Sequence, residues 1–459
     1  MMKRILLLIL TAAPISGVLA QKGDSLQIRK IVNEALLNGK CYSDLKFLAN
    51  EIGGRLSGSE EADRAVLYMY SKMREYNFDT VWLQPVMVPH WVRGEKEQAY
   101  ATRGNLKTEL NVCALGNSVG TGDKGLRAPV VEVKTADELD LLGKNGVLKG
   151  KIVFFNAPLN SAHIHTGTAY GESGWQRTKG PAMASRYGAV GALVRSLTLA
   201  LDEFPHTGAT QYNDSFPHIP ACAISTIHAN ELSALLKVAS TAETQVYMRT
   251  TCQMLPDEQS YNVIGEIRGS EKPSEVILVG GHLDSWDNGD GAHDDGAGCV
   301  QSVETLRILK TLGIKPKRTI RCVLFMNEEN GLRGGLKYAE WAGMRSEKHV
   351  AALESDAGGF TPRGFNTTAT GTAMAKLTAW QSLLKPYGIE TLKHPGGGAD
   401  IGPLGKYGTV LIGFIPDSQR YFDYHHTQVD TFDKVNKREL ELGAACITSL
   451  IWLISEYGL

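Results

Sequence analysis

The sequence has almost no net charge and no long run of either sign. It holds 48 Lys and Arg residues against 49 Asp and Glu residues, a formal charge of -1 over 459 residues. A surface that binds nucleic acid needs a basic excess to neutralise phosphates. The sequence therefore offers no support for nucleic-acid binding, and no acidic or basic tail is expected.

Cysteine is scarce and carries no metal or redox motif. None of the cysteines forms a C-x-x-C pair, which excludes a zinc ribbon and a redox dithiol. Their number is odd, so they cannot all pair within one chain. Three of them stand in apolar stretches and are predicted to be buried thiols, namely Cys299, Cys322 and Cys446. All seven are Cys41, Cys113, Cys222, Cys252, Cys299, Cys322 and Cys446.

Beyond residue 20 the sequence has no apolar run that we expect to span a membrane. The first 20 residues differ, because Lys3 and Arg4 precede an apolar run over residues 5–10. Val18 and Ala20 are small enough for a signal-peptidase site. Proline and glycine shorten this apolar stretch below the ~20 residues that a membrane anchor needs. We predict a signal peptide over 1–20 and an exported mature protein, periplasmic or secreted, without a membrane partner.

The length favours two domains, and the pattern along the chain divides them. Residues 25–76 are helical in pattern, and short strands with Gly and Pro turns follow from about 106 to 255. After residue 261, apolar strands alternate with helices, which is typical of an α/β fold with a mixed, largely parallel sheet covered by helices on both faces. We predict one domain made of 21–108 and 256–459, interrupted by an insert over 109–255.

Acidic residues and histidines follow four of the predicted strands, and a fifth group precedes a predicted helix. Because parallel strands end at the same edge of an open sheet, these side chains are expected to meet there. Crowded carboxylates repel one another, and bound cations resolve that conflict. Imidazole and carboxylate without Cys suit catalytic zinc. The segments are His282-Leu283-Asp284, Glu328-Glu329, Glu354-Ser355-Asp356, His425-His426 and His293-Asp294-Asp295.

The charges fit two zinc ions. Three ligand carboxylates and a bridging hydroxide nearly balance two Zn²⁺, and a two-metal site can hold both the attacking water and the substrate carbonyl. A further free carboxylate must then take the proton from that water. Glu328 and Glu329 can divide the roles of base and ligand. Spacing alone does not show whether Glu328 or Glu329 binds metal. It leaves the same question open within 293–295 and between His425 and His426.

These segments, with Pro89-His90-Trp91-Val92-Arg93-Gly94-Glu95 near the start, resemble the metal motifs of the M28 family of zinc peptidases in order and spacing. The resemblance covers nearly the whole mature chain. It implies that one zinc takes His282 and Asp356 and that the other takes Glu329 and His426. Asp294 would bridge the two ions and form a cis peptide bond with Asp295. Asp284 would orient His282, and Glu328 would be the general base.

The resemblance also implies a zinc exopeptidase fold, a protease-associated (PA-like) domain at the insert and a homodimer. The substrate would be a dipeptide or a short unblocked peptide, with Gly398, Asp400 and His425 lining its pocket. Aminopeptidases share the same scaffold, so the direction of cleavage stays open. A single-zinc glutaminyl cyclase and a non-catalytic peptide-binding ectodomain are the remaining alternatives. The full set of ligand residue types argues against both.

Overall fold

The computed structural model of the chain describes residues 15–238 and 242–459, so most of the predicted signal peptide lies outside the described residues. The strands are β1 (Thr80–Val92), β2 (Gln98–Arg103), β3 (Leu106–Glu109), β4 (Val112–Ala114), β5 (Leu126–Val133), β6 (Ile152–Phe155), β7 (Gly191–Arg195), β8 (Ala221–Ile224), β9 (Gln245–Arg249), β10 (Gln253–Ile267), β11 (Lys272–His282), β12 (Arg318–Phe325), β13 (Lys348–Glu354), β14 (Pro362–Thr367), β15 (Thr391–Lys393) and β16 (Val410–Pro416). The helices are α1 (Ile15–Asn38), α2 (Cys41–Phe47), α3 (Glu60–Glu75), α4 (Ala136–Lys144), α5 (Thr166–Ser173), α6 (Trp175–Thr178), α7 (Gly180–Arg186), α8 (Thr226–Leu236), α9 (Ala297–Thr311), α10 (Arg333–Gly343), α11 (Gly371–Leu384), α12 (Tyr421–Tyr424) and α13 (Lys437–Tyr457).

The first sheet has the order β1-β10-β12-β11-β13-β16-β14-β15. Its four central strands, β12, β11, β13 and β16, are parallel to one another, and β10 and β14 flank them in antiparallel directions. Helices α1, α2, α3, α9, α11 and α13 share one hydrophobic core with one face of this sheet, and α10 packs on the other face. The mixed, helix-covered sheet predicted from the strand pattern is therefore present.

The second sheet has the order β3-β2-β9-β5-β6-β7-β8-β4 and forms its own two-sided core. It begins at β2, earlier than the predicted boundary at residue 109, because the β2–β3 hairpin pairs with β9. The chain leaves the first sheet along β1 and returns along β10. These two strands are antiparallel, with Val92 opposite Gln253, so the inserted segment starts and ends at neighbouring points.

Helix α13 is the one helix among the described residues that is long and apolar enough to cross a membrane by composition. It is largely buried in the protein core, between the first sheet and helices α1 and α9. Cys446 on α13, Cys299 on α9 and Cys322 on β12 are buried free thiols, which confirms the prediction made from their apolar surroundings.

Candidate metal centre

The ends of the parallel strands bring the predicted ligands to one edge of the first sheet. His282 is the last residue of β11, and it lies opposite Phe325, the last residue of β12. Glu329 follows Phe325 in the turn after β12, at the same edge of the sheet. Glu354 ends β13 in register with Gly280 of β11, which places Asp356 beside His282. Asp294 arrives on the turn before α9, and His426 follows α12.

Asp294 lies between the two histidines. Its Oδ1 atom is 3.4 Å from Nε2 of His282, and its Oδ2 atom is 3.1 Å from Nε2 of His426. Each imidazole has a second carboxylate: Oδ1 of Asp356 lies 3.5 Å from Nε2 of His282, and Oε2 of Glu329 lies 3.1 Å from Nε2 of His426. The five side chains thus form two linked groups that share Asp294.

The opposite nitrogen of His282 faces the main chain of Asp284. Nδ1 of His282 lies 2.9 Å from the Asp284 carbonyl oxygen and 4.0 Å from its carboxylate. The Asp284 carboxylate instead accepts hydrogen bonds from the backbone N–H groups of Asn327, Glu328 and Glu329, at 2.7, 3.1 and 3.3 Å. The carboxylate predicted to orient His282 thus hydrogen-bonds the turn that carries both glutamates and lies 4.0 Å from the imidazole.

The opposite nitrogen of His426 faces the inserted segment. Nδ1 of His426 lies 3.1 Å from the Thr207 carbonyl oxygen. The Thr207 N–H donates in return to the His426 carbonyl at 3.0 Å. The pattern fixes a proton on Nδ1 and leaves Nε2 free for a metal. Sequence analysis missed Thr207, since a backbone carbonyl has no residue-type signal.

Two further buried side chains hold the turn that carries Asp294. The Asp430 carboxylate accepts the backbone N–H groups of His293 and Asp294 at 2.8 and 3.1 Å. Burial raises the pKa of Asp430 to about 7. Arg55 donates to the carbonyls of Leu283, Asp290 and Gly291 at 2.6 to 2.9 Å. Arg55 lies in the Gly-rich turn between α2 and α3, and sequence analysis did not single it out.

The structure separates the adjacent residues that spacing left open. His293 stacks on Phe360 with ring centroids 4.1 Å apart, outside the cluster. Asp295 accepts the backbone N–H of His282 at 3.1 Å, and its peptide bond with Asp294 is cis. His425 stacks on His426 with centroids 3.5 Å apart and lies 3.5 Å from one Asp294 oxygen. Among these alternatives only His425 shares a ligand-type contact with the cluster.

Burial and mutual charge shift the pKa values in the cluster in opposite directions. Burial raises the pKa of Glu328 well above its usual range, and the nearby Asp356 and Glu329 carboxylates add to the effect. Burial, followed by the Asp294 charge, raises the pKa of Glu329 to about 7. For Asp294, the His425 charge and contacts with His282 and His426 outweigh burial and hold the pKa well below its usual range. These are strongly interacting groups that protons and cations compete for.

The donor set fits a divalent cation. Oδ2 of Asp294 is buried, faces Nε2 of His425 and of His426, and accepts no hydrogen bond within 15–238 or 242–459, which suits an atom shared with a metal. The ligand atoms of His282, Asp294 and Asp356 lie within 4.8 Å of one another, as do those of Asp294, His425 and His426. Two histidines with three carboxylates match the ligand preference of zinc.

Two cavities meet at this centre. One, of about 430 Å³, is lined by Glu328, His425 and residues of the inserted segment that include Arg177. The other, of about 450 Å³, is lined by Gly398 and Glu354, and Asp356 faces both. Of the three predicted pocket residues, Gly398 and His425 line cavities. Asp400 is only 1% exposed and lines neither cavity.

Comparisons with known proteins agree with this architecture. Residues 262–451 match the model of peptidase family M28. Carboxypeptidase Q of Xenopus laevis is 36% identical over 94% of this chain and 89% of its own length. Carboxypeptidase Q of Homo sapiens is 33% identical over 94% of this chain and 88% of its own length. The crystal structure of a peptidase M28 precursor from Shewanella amazonensis has a TM-score of 0.89 at 34% identity, covering 95% of this chain and 97% of that one.

Proposed function

The chain belongs to peptidase family M28 and is a metallopeptidase; on that premise we propose that it is a di-zinc exopeptidase that hydrolyses dipeptides or short unblocked peptides, with Glu328 as general base. The observation that carries this proposal is the position of Asp294, whose two oxygens each face a different imidazole. One zinc would be held by His282 and Asp356 and the other by Glu329 and His426, and both would share Asp294.

His426 is preferred to His425 as the ligand because its Nε2 lies 3.1 Å from both Asp294 and Glu329. His425 approaches a single carboxylate, at 3.5 Å. The backbone carbonyls of Asp284 and Thr207 orient the two ligand imidazoles so that Nε2 of each points to the centre. Such partners fix the tautomer and the ring plane of a metal ligand.

Bound zinc supplies the polarisation of a peptide carbonyl and the acidification of a water molecule. Glu328 lines the cavity beside the cluster, and its side chain forms no ion pair or hydrogen bond with the described part of the chain, whereas Glu329 faces His426. Glu328 is thus placed to take a proton from water and return it to the leaving amine. Asp284 fixes the backbone of both glutamates, so their two roles stay separate in space.

The similarity to proteins named carboxypeptidase Q supports cleavage next to a free C-terminus over aminopeptidase action for this chain. We also propose that the inserted segment is a PA-like domain that covers the centre, and the contact between Thr207 and His426 supports that position. We further propose that the protein is exported and that two copies of the chain form a homodimer. Mass photometry of the mature protein tests the dimer, and N-terminal sequencing of the exported form tests removal of residues 1–20.

A dipeptide panel with free and blocked termini, combined with elemental analysis, tests the enzymatic proposal. We expect about two zinc equivalents per chain, loss of hydrolysis on chelation and recovery on adding zinc. Full activity with a single equivalent would contradict the two-metal site. A wild-type protein that holds two zinc ions and cleaves no peptide would contradict the peptidase function.

A further inference from the structure

Leu332, in the turn between β12 and α10, has a backbone conformation that leucine rarely adopts. Its φ angle is +66°, in the left-handed region, where the Cβ atom of an L-residue is crowded by its own main chain. The other non-glycine residues with a positive φ in the described part of the chain are all Asn or His, which tolerate this region better, namely Asn77, Asn117, Asn327 and His426. Within 15–238 and 242–459, Leu332 is therefore the one apolar side chain on such a backbone.

Hydrogen bonds of the surrounding turn hold Leu332 in this conformation. Its N–H donates to the Asn327 carbonyl at 2.5 Å. The Asn327 side chain donates to Ser57 Oγ at 2.9 Å and to Asn330 Oδ1 at 2.6 Å, and it accepts the Arg333 N–H at 3.3 Å. Backbone strain persists only where the surrounding structure fixes it in this way, and it is concentrated at ligand-binding and catalytic sites.

The Leu332 side chain has no packing role that would explain the strain. It is half-buried and belongs to none of the hydrophobic clusters that the described residues form. It lines the cavity of about 430 Å³ beside the metal centre, where Ala209 of the inserted segment is the other aliphatic residue. An apolar group of a ligand in this cavity would lose contact with water against Leu332, which is a favourable contact.

The position of Glu328 determines which part of a peptide would meet Leu332. Glu328 lines the same cavity as Leu332, and it does not line the cavity that contains Gly398. A group that returns a proton to the leaving amine must lie within hydrogen-bond reach of that amine. Because the leaving amine belongs to the residue after the cleaved bond, that residue would occupy the cavity that Leu332 lines.

Resting on the proposed function, we infer that Leu332 contacts the side chain of the residue after the cleaved bond and favours substrates with an apolar residue there. The neighbouring amide side chains are already engaged, since Nδ2 of Asn330 donates to Oδ1 of Asn117 at 3.2 Å. Glycine or asparagine would fit the backbone at this position better than leucine. The apolar side chain is thus kept against local preference at a point where it meets the substrate, which makes Leu332 a specificity-determining residue.

The kinetic test compares alanyl-leucine with alanyl-glycine on wild type, Leu332→Asn and Leu332→Met. Leu336→Asn is the matched control, since Leu336 is an exposed leucine one turn later on α10 that does not line this cavity. We expect wild type to prefer alanyl-leucine, and Leu332→Asn to lose about 10-fold of that preference in kcat/KM while changing little on alanyl-glycine. Leu332→Met should retain most of the preference, and Leu336→Asn all of it. A preference that survives in Leu332→Asn would overturn the inference.

Thermal unfolding shows whether Leu332 serves the ligand or the fold. Asparagine tolerates a positive φ, and directly before α10 its side chain can accept a helix N–H, which leucine cannot do. We therefore expect Leu332→Asn to raise Tm by about 1–3 °C while it loses the preference for alanyl-leucine. A lower Tm together with an equal loss of turnover on both dipeptides would mean that the leucine is structural, and it would overturn the inference.

A binding measurement separates this inference from the proposed function. Calorimetry on the zinc-loaded protein compares the products leucine and glycine. We expect wild type to bind leucine more tightly, and Leu332→Asn to bind the two amino acids alike. If wild type cleaves no peptide but shows this difference through Leu332, the proposed function fails and the apolar contact stands. If zinc-dependent cleavage is present and the difference is absent, or is unchanged in Leu332→Asn, the inference fails.

Discussion

Thr207 and His426 exchange two hydrogen bonds across the contact between the inserted segment and the metal-binding edge. Thr207 donates its N–H to the His426 carbonyl at 3.0 Å, and its own carbonyl lies 3.1 Å from Nδ1 of His426. A proposed ligand of the centre is therefore oriented by a part of the chain that supplies none of the proposed ligands. We therefore expect that a change which loosens the contact between the inserted segment and His426 also lowers the affinity for metal.

This link predicts different behaviour for two substitutions at Thr207. Thr207→Ala keeps both backbone groups, so we expect near-normal zinc affinity. Thr207→Pro keeps the carbonyl that faces Nδ1 but removes the N–H that ties this segment to the His426 backbone, so we expect the carbonyl to shift away from the imidazole and zinc affinity to fall by about 10- to 100-fold, the usual effect of losing an orienting partner. Competition with a fluorescent zinc chelator measures both affinities, and circular dichroism checks folding. Wild-type affinity in folded Thr207→Pro would show that the exchange is dispensable.

Substitutions of the adjacent residues Glu328 and Glu329 should impair activity and zinc binding in different ways. Glu328→Gln removes the proton acceptor and keeps every proposed ligand, so we expect near-normal zinc and a loss of about 10²–10⁴-fold in kcat. Glu329→Gln weakens a ligand bond beside His426, so activity and zinc should fall together, and added zinc should restore part of the activity. Zinc content and dipeptide turnover are measured side by side. Loss of zinc from Glu328→Gln with retention in Glu329→Gln would reverse the assignment.

Much of this site could be read from residue types, because strand ends in a parallel sheet meet at one edge. His282, Glu329 and Asp356 follow apolar strands, which makes their meeting predictable. Thr207 could not be found in that way, because it contacts His426 through backbone atoms across 219 positions of sequence. The second sheet begins at β2, before residue 109, and sequence patterns do not reveal this start, since the short β2–β3 hairpin has no apolar pattern of its own.

His349 on β13 predicts a pH dependence of stability away from the metal centre. Burial, with a contribution from the Arg321 charge, lowers its pKa to about 4. Between that value and about 6.5 the unfolded chain binds a proton that the folded chain does not, so stability falls as pH falls through this window. The loss attributable to His349 between pH 7 and pH 5 is at most about 2 kcal/mol.

Urea unfolding of His349→Gln at pH 7 and pH 5, in the presence of chelator, measures this contribution. Glutamine does not titrate and can still hydrogen-bond the Tyr338 hydroxyl, which lies 2.8 Å from Nε2 of His349. We expect a smaller drop in stability than in wild type. His163→Gln, which changes a partly exposed histidine, is the control and should retain the wild-type drop. Equal pH dependence in all three proteins would refute the assignment.

Asp284 offers the sharpest distinction between orienting His282 and holding the glutamate turn. Its carboxylate accepts three backbone N–H groups, from Asn327, Glu328 and Glu329, while its carbonyl faces His282. Asp284→Asn keeps the carbonyl and one side-chain oxygen, but replaces the other acceptor with an N–H₂ donor that opposes the Glu329 N–H. We therefore expect zinc at the His282 position to persist and kcat to fall, because the Glu328 base loses its fixed backbone.

Cobalt substitution of Asp284→Asn, followed by absorption spectroscopy and titration of metal per chain, reads the two metal positions separately from turnover. Near-normal occupancy at the first position with a fall in kcat of about 10-fold or more would fit a carboxylate that holds the turn, since each hydrogen bond of this charged kind contributes about 1.5–3 kcal/mol. A primary loss of metal from the His282 position would instead mean that the carboxylate, 4.0 Å from Nδ1, orients the imidazole after all.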